Sequence, residues 1–501
     1  MSAPADLFVI GGGINGAGIA RDAAGRGLSV ILCEKDDLAE GTSSRSGKLV
    51  HGGLRYLEYY EFRLVREALI EREVLRKAAP HIIWPMRFVL PHSPDDRPFW
   101  LVRLGLFLYD HLGGRMSLPS TRSLDLRRAP EGKALKDQYT RGFEYPDCWV
   151  DDSRLVLLNA LDAHRRGAKI LTRTRCRSAR RENGLWNVEL VDQQSGAVTT
   201  VQAHALVNAG GPWVDEIISQ VAGANSGRKV RLVKGSHIVT RKFWEGDNAY
   251  LIQHSDKRVI FVNPYLGDKA LIGTTDIAYE GQPDDVCATD DEVEYLISAV
   301  NRYFETQLSR DDVESVFSGV RPLFDDGQGN PSAVTRDYVL EVENETDAPL
   351  LNIFGGKITT FRKLAEHALD KLRPRFPKMG EGWTDKEPLP GGDIESFAAL
   401  TKELSAQFPW LPADLAHHYA RSYGSMTGNV VGSARALEDL GQQFGPLLYQ
   451  AEVDYLVNNE WAMAAEDILT RRTKHALHMS AAQIGAFKSW FAQPQPHTAQ
   501  M

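Results

Sequence analysis

DLFVIGGGINGAGIARDAAGRGLSVILCE, residues 6–34, decides the fold. Leu7 to Ile10 is a short apolar run that stops at glycines, as a buried parallel strand does. Gly11-x-Gly13-x-x-Gly16 follows at once. In such a turn Gly11 permits the tight bend, Gly13 lets backbone approach a pyrophosphate, and Gly16 lets the next helix pack close to the strand. Ala17, Gly18, Ala20 and Ala24 keep that helix small on its inner side. Its N-terminus offers free N–H groups and a positive dipole end to phosphates. A second apolar strand, Ser29 to Cys33, ends at Glu34, where an acid accepting hydrogen bonds from a ribose belongs. The glycines alone are a weak signal. Strand, turn, helix, strand and acid in one short unit are a strong one. Glu34 would repel a 2′-phosphate, which argues against NADP and leaves FAD or NAD.

Two later segments repeat the form. Ala205 to Ala209 runs into Gly210-Gly211-Pro212-Trp213, and Leu350 to Phe354 runs into Gly355-Gly356-Lys357 and a helix through Leu372. Each is a strand edge that delivers backbone to a ligand. Three such segments imply a nucleotide domain assembled from separated stretches, a layout that suits a flavoprotein better than an NAD dehydrogenase. The sequence therefore predicts an α/β fold with a helical addition. An FAD-binding Rossmann-like domain (1–80, 150–230, 330–386) is interrupted by an antiparallel-sheet substrate domain (81–149, 231–329). Candidate strands of that sheet are Val259 to Pro264, Lys269 to Gly273 and Val313 to Val320, with an amphipathic helix from Asp290 to Phe304. PLPGGD after Lys386 reads as a linker to a C-terminal helical cap, 387–501, with helices at Ser396 to Gln407, Asp414 to Ser422 and Ala451 to His478.

A chain of 501 residues exceeds a usual single domain. Its net charge of −8 and pI near 6 give no reason to expect nucleic acid. Cys33, Cys148, Cys176 and Cys287 are scattered and form no CxxC, so neither a disulfide framework nor a metal site is expected. The first strand starts close to Met1, so no leader is expected, and no apolar run is long enough to span a bilayer.

TSSRSGKLVHGGLRYLEYYEFRLVREAL, residues 42–69, is far more particular. It resembles the aerobic, membrane-associated, flavin-dependent glycerol-3-phosphate dehydrogenases of bacteria. So do RGFEYPDCWVDDSRLVL at 141–157, RLVKGSHIV at 231–239, LIGTTD at 271–276, SGVRPL at 318–323, TRDY at 335–338 and FGGKITTFRKLAEHAL at 354–369. The resemblance covers nearly the whole chain. It implies noncovalent FAD, oxidation of sn-glycerol 3-phosphate to dihydroxyacetone phosphate, and electrons passed to ubiquinone. It also implies peripheral attachment to lipid on the cytoplasmic face of the inner membrane; a homodimer is a further expectation. Two departures are visible: Gly47 stands where the family has serine, and Phe361 where it has tyrosine. A glycerol-3-phosphate oxidase and an amine or amino-acid oxidase of the same flavin superfamily are the rival readings.

A phosphorylated substrate carries roughly −1.5 to −2 charge at neutral pH, so fixed cations with several donors are needed. Arginine serves best because its fork pairs phosphate oxygens bidentately. Arg55, Arg321 and Arg336, with Tyr56 and Lys357, form the expected substrate clamp. Oxidation of a secondary alcohol also needs a base for the hydroxyl proton. His237 in KGSH is the first candidate, with Arg321 and Lys357 assisting. His51 is either a second candidate base or a flavin contact. Thr42, Ser43, Ser44, Ser46, Gly52, Gly53, Gly210, Gly355, Gly356 and Thr359 complete the expected cofactor set around Gly11, Gly13, Gly16 and Glu34. The helix after Gly356 would turn its positive end toward the side of the flavin that gains charge on reduction.

Two segments stay open. Phe99 to Tyr109, FWLVRLGLFLY, is either a buried core helix or a shallow interfacial element with Trp100 and Tyr109 at headgroup level. Arg471, Arg472 and Lys474 form either a solvated basic face or a lipid contact.

Overall fold

The computed structural model describes residues 3–93, 97–114, 116–224, 226, 228–325, 337–344 and 347–493. Ala5–Ile10, the strand that opens the chain, lies at the centre of the first sheet. It pairs in parallel with Val30–Cys33 on one side and Val198–Asn208 on the other. Lys169–Leu171 extends the sheet beyond Val30–Cys33, and Leu350–Phe354 extends it beyond Val198–Asn208, both parallel. Val339–Glu343 closes one edge in antiparallel fashion, and the hairpin Thr174–Glu182/Leu185–Asp192 adds to Val198–Asn208. Helices Ile14–Gly25, Asp152–Arg165 and Phe361–Leu372 cover this sheet. Three strands that end in glycine thus lie side by side although they are far apart in sequence. Their carboxyl ends form one crevice, where ligands bind in open α/β sheets.

The second sheet is almost wholly antiparallel. Its spine is Val230–Arg241, paired with Val313–Phe324 and Lys269–Gly273. Val259–Tyr265 and Ala249–Gln253 follow, then Ile83–His92 through the one parallel pairing of the path, then Arg141–Val150. One face packs on Asp290–Tyr303, whose N-terminus is closed by a capping box between Thr289 and Glu292. The other face packs on Phe62–Ala78 and Phe99–Leu112. Val313–Phe324 runs four residues past the expected Val320, which carries Arg321 into the sheet.

The C-terminal region is helical but differs from the expected layout at its end. Phe397–Gln407, capped by Ser396, and Ala413–Tyr423 form a helical pair. A single helix from Ala451 to His478 does not form. Gln450–Asn459 stops, Trp461 adopts a left-handed backbone, and a wide turn follows at Asp467–Arg472. Ion pairs tie down the turn and the residues after it. Arg471 Nε lies 2.7 Å from Asp37 Oδ2, Arg472 pairs with the same carboxylate, and Lys474 bonds Asp151. All three cations are buried, so they are neither a solvated face nor a lipid contact. A continuous apolar core joins Leu7 and Val9 of the first sheet, Leu155 and Leu158 of the covering helix, and Leu415, Leu456 and Ile468 of the cap.

Phe99–Leu112 is not a core helix. Leu106 and Tyr109 are buried, but Trp100 is 66% exposed, and Leu104 and Phe107 are also exposed. Tyr59, Tyr60 and Phe62 are exposed on the adjoining segment. No helix among the described residues is long and apolar enough to cross a membrane.

Candidate active site

A cavity of about 1110 Å³ runs from the glycine turn to the second sheet. That is at the upper limit for drug-sized ligand pockets, which suits a dinucleotide together with a second small molecule.

At the nucleotide end, Gly11 has φ +110°, and a Cβ on Gly16 would lie 1.9 Å from the Gly11 carbonyl oxygen. The helix therefore touches the turn, and only glycine fits. Gly11, Gly13 and Glu34 line the cavity, whereas Gly16 sits behind the turn. Glu34 has a second task the sequence did not suggest. Its carboxylate accepts from the backbone N–H of Gly12 (2.6 Å) and of Asp36 (2.9 Å), so it also holds the turn in shape. Burial pushes its carboxyl up to about 7 despite those two donors. Trp213 lies against this end, with Lys35 over its ring at 4.5 Å.

The hydroxyl-rich loop separates into two groups. Thr42 and Ser43 line the cavity; Ser43 Oγ accepts from Ile14 N (3.0 Å), and Thr42 Oγ1 donates to the Val320 carbonyl (2.5 Å). Ser46 also lines it, but its hydroxyl donates to Asp152 (2.7 Å) and accepts from Lys48 N (2.9 Å), so it shapes the loop. Ser44 and Gly52 do not line the cavity, contrary to expectation. The Ser44 carbonyl is taken by Lys48 Nζ, and Gly52 is pressed against Leu69 and Tyr109, its N–H donating to the Tyr109 hydroxyl. His51, Gly53, Gly210, Gly355, Gly356 and Thr359 all line the cavity. Thr359 Oγ1 accepts from His51 N, and Asn15 Nδ2 donates to the Gly355 carbonyl. The glycine cradle, the acid and the ring of small residues fit a flavin dinucleotide.

At the other end, Arg55, Tyr56, His237, Arg321 and Lys357 converge on the same cavity. Lys357 Nζ lies 4.0 Å from the centre of the Tyr56 ring, is buried and has no hydrogen-bond partner among the described residues. Arg321 is held by Asp276 Oδ1 (3.0 Å), Thr274 Oγ1 (3.2 Å) and the Thr275 carbonyl (2.9 Å). Thr274 and Asp276 were missed as site residues, although LIGTTD carried them into view. His237 stacks on Phe317, ring centres 4.9 Å apart, and its buried Nδ1 has no hydrogen-bond partner among the described residues. Burial, then Arg321 and Lys48, push its imidazole down to about 3, so the ring is neutral at working pH. Arg336 lies outside the described residues. The described residues contain one cluster with metal-ligand spacing, His418, Glu452 and His475; it lies in the cap, and none of its members lines the cavity.

A dinucleotide crevice opening onto a second sheet that supplies Arg321 and a neutral His237, with Arg55 and Lys357 beside them, is the arrangement of a flavin-dependent oxidoreductase. Residues 6–346 match the FAD dependent oxidoreductase family, and residues 383–489 match the C-terminal domain of alpha-glycerophosphate oxidase. The chain belongs to the FAD-dependent glycerol-3-phosphate dehydrogenase family. It is 66% identical over 97% of both chains to D-erythritol 1-phosphate dehydrogenase of Brucella abortus. It is 52% identical, again over 97% of both, to aerobic glycerol-3-phosphate dehydrogenase of Escherichia coli. Among solved structures it resembles the glycerol-3-phosphate dehydrogenase from Bacillus halodurans complexed with FAD (TM-score 0.78, 28% identity, 98% of this chain and 90% of that one). Its cofactor is FAD.

Proposed function

We propose that the protein oxidises a secondary hydroxyl of a short polyol phosphate, that D-erythritol 1-phosphate is its preferred substrate, and that its electrons pass to ubiquinone. The convergence of Arg55, Arg321, Lys357 and His237 on the cavity carries the reaction class. The 66% relative favours the four-carbon substrate over sn-glycerol 3-phosphate, the substrate implied by the resemblance and by the relative at 52%.

Bound FAD supplies the hydride acceptor. The chain does the rest. Arg55 and Lys357, neither in an ion pair among the described residues, are available to a phosphate. Arg321, fixed by Asp276, orients the hydroxyl and steadies charge as the proton leaves. His237, stacked on Phe317 at the cavity, takes that proton, as a weak base because burial, Arg321 and Lys48 hold its imidazole down. The exposed Trp100, Leu104 and Phe107 support attachment of the apolar helix to the cytoplasmic face of the bacterial inner membrane. Leu101, Leu104 and Leu108 of that helix also line the cavity, which offers an apolar mouth for a quinone.

Anaerobic titration tests the reading. D-erythritol 1-phosphate should bleach the flavin spectrum at lower concentration than sn-glycerol 3-phosphate, and NADH should leave it unchanged. A spectrum that neither phosphate bleaches would overturn it. His237→Gln should slow the bleaching by about 10²- to 10⁴-fold.

A further inference from the structure

Gly47 faces His237 across the substrate end of the cavity. A Cβ built on Gly47 would lie 3.6 Å from His237 Nε2, and beyond its chain neighbours that ring nitrogen is its only neighbour within 4 Å among the described residues. Among those residues a gap therefore lies beside the His237 ring, where any other residue would project a side chain. Gly47 is not in a left-handed conformation, so glycine is not required there by the backbone. The gap is also held in place. Asn263, buried on Val259–Tyr265, donates from Nδ2 to the Gly47 carbonyl at 3.4 Å. Ser46 and Lys48, on either side, are tied to Asp152.

We propose that Gly47 sets the chain length of the substrate. The inference rests on the polyol-phosphate reading of the site and narrows it. With the phosphate on the cavity cations and the reacting hydroxyl at His237 Nε2, a four-carbon substrate has one more hydroxymethylene than a three-carbon one. With oxidation at the carbon next to the phosphorylated one, as in sn-glycerol 3-phosphate, that unit extends past His237 on the side away from the phosphate, and the gap over Gly47 takes it. Asn263 acts as a positioning residue that keeps the Gly47 backbone back from the cavity.

Gly47→Ser and Gly47→Ala test this, since an added Cβ meets His237 at ordinary contact distance and the fold should survive. The measurement is the ratio of kcat/KM for D-erythritol 1-phosphate over sn-glycerol 3-phosphate, with a dye acceptor and with the flavin spectrum as a check on folding. The ratio should fall at least tenfold in Gly47→Ser and less in Gly47→Ala, chiefly through a raised KM for the longer substrate. An unchanged ratio, or an equal loss for both substrates, overturns the role of Gly47 and leaves the reading of the site intact. A wild-type enzyme that oxidises only sn-glycerol 3-phosphate overturns the role of Gly47 as well. One that oxidises neither overturns both.

Discussion

Arg471, Arg472 and Lys474 of the cap and Arg55, Arg321 and Lys357 of the cavity carry the same charges and serve opposite ends. The cap cations, all buried, meet carboxylates, a buried Asp37 and a half-buried Asp151. Among the described residues, of the cavity cations only Arg321 has a carboxylate, Asp276, and that pair faces the open space. Lys357 meets an aromatic face and no hydrogen-bond acceptor among the described residues. A cation whose charge is answered inside the protein holds structure together. One left to face a cavity waits for an anion from outside.

The sharpest way to break the comparison is to remove a cavity cation. Arg321→Ala deletes a substrate contact and strands Asp276. Losing one donor that steadies charge developing on the substrate costs about 2.7–4 kcal/mol, so kcat/KM should drop roughly 10²- to 10³-fold, and the stranded Asp276 should lower stability as well. Lys357→Met removes charge without stranding a partner and should raise KM while the protein stays as stable as wild type. Steady-state kinetics beside thermal melts check both. A Lys357→Met enzyme with normal KM would place that lysine among the structural cations.

Asp37→Asn makes the converse cut. It leaves the Arg472 guanidinium buried against a neutral amide, while Arg471 keeps Asp467 and Glu40, at a cost of about 3–5 kcal/mol in stability. The melting temperature should fall, with kcat per folded, flavin-loaded enzyme close to wild type. Burial alone would raise the Asp37 carboxyl; Arg472 and Arg471 outweigh burial and hold it low. Its contribution is therefore complete above the ordinary carboxylate range and is lost as pH falls through the lower folded value. Acid unfolding of Asp37→Asn should accordingly be shallower than that of wild type.

This contrast also marks what the sequence could and could not disclose. The glycine turn was legible because its geometry is local: Gly11, Gly16 and Glu34 lie within one strand–helix–strand unit. The second sheet was legible where apolar alternation was local, as at Lys269–Gly273. The cavity cations were found through the strings around them. The cap cations were misread because their partners are distant, Asp37 lying 434 residues from Arg471. Helical periodicity from Ala451 onward carried no sign of the break at Trp461 or of those pairs. Gly52 and Ser44 were misplaced for a related reason. They sit among true cavity residues, and only the packing of Tyr109 and Lys48 turns them away.

Glu34 tests the nucleotide end in the same terms, as an anion rather than a cation. Its raised value means that the apoprotein is favoured with Glu34 protonated, an advantage lost as pH rises through about 7. Ribose hydroxyls donate to the ionised form, so loading FAD should release a proton. FAD affinity for the apoprotein should therefore rise with pH up to about 7, by at most about tenfold per pH unit, and then level off. Glu34→Gln should bind FAD more weakly with a flat profile. Fluorescence quenching of FAD across pH 5.5–8.5 reads the slope directly, and a flat wild-type profile would remove Glu34 from the ribose.

The smallest effect belongs to the apolar helix Phe99–Leu112, where no charge decides the matter. Its outward residues are exposed in water, and burying a large apolar side chain contributes about 1.5–3 kcal/mol. Headgroup contact is shallow and recovers only part of that. Trp100→Ala and Phe107→Ala should each weaken binding to vesicles of mixed neutral and anionic lipid by several-fold to about tenfold. Oxidation of the substrate with a soluble dye should be unaffected, since neither residue lines the cavity. Quinone reduction in vesicles should fall with membrane binding. If the double variant sediments with vesicles as wild type does, Trp100 and Phe107 face something other than lipid, and the second copy of the expected dimer becomes the occupant to test.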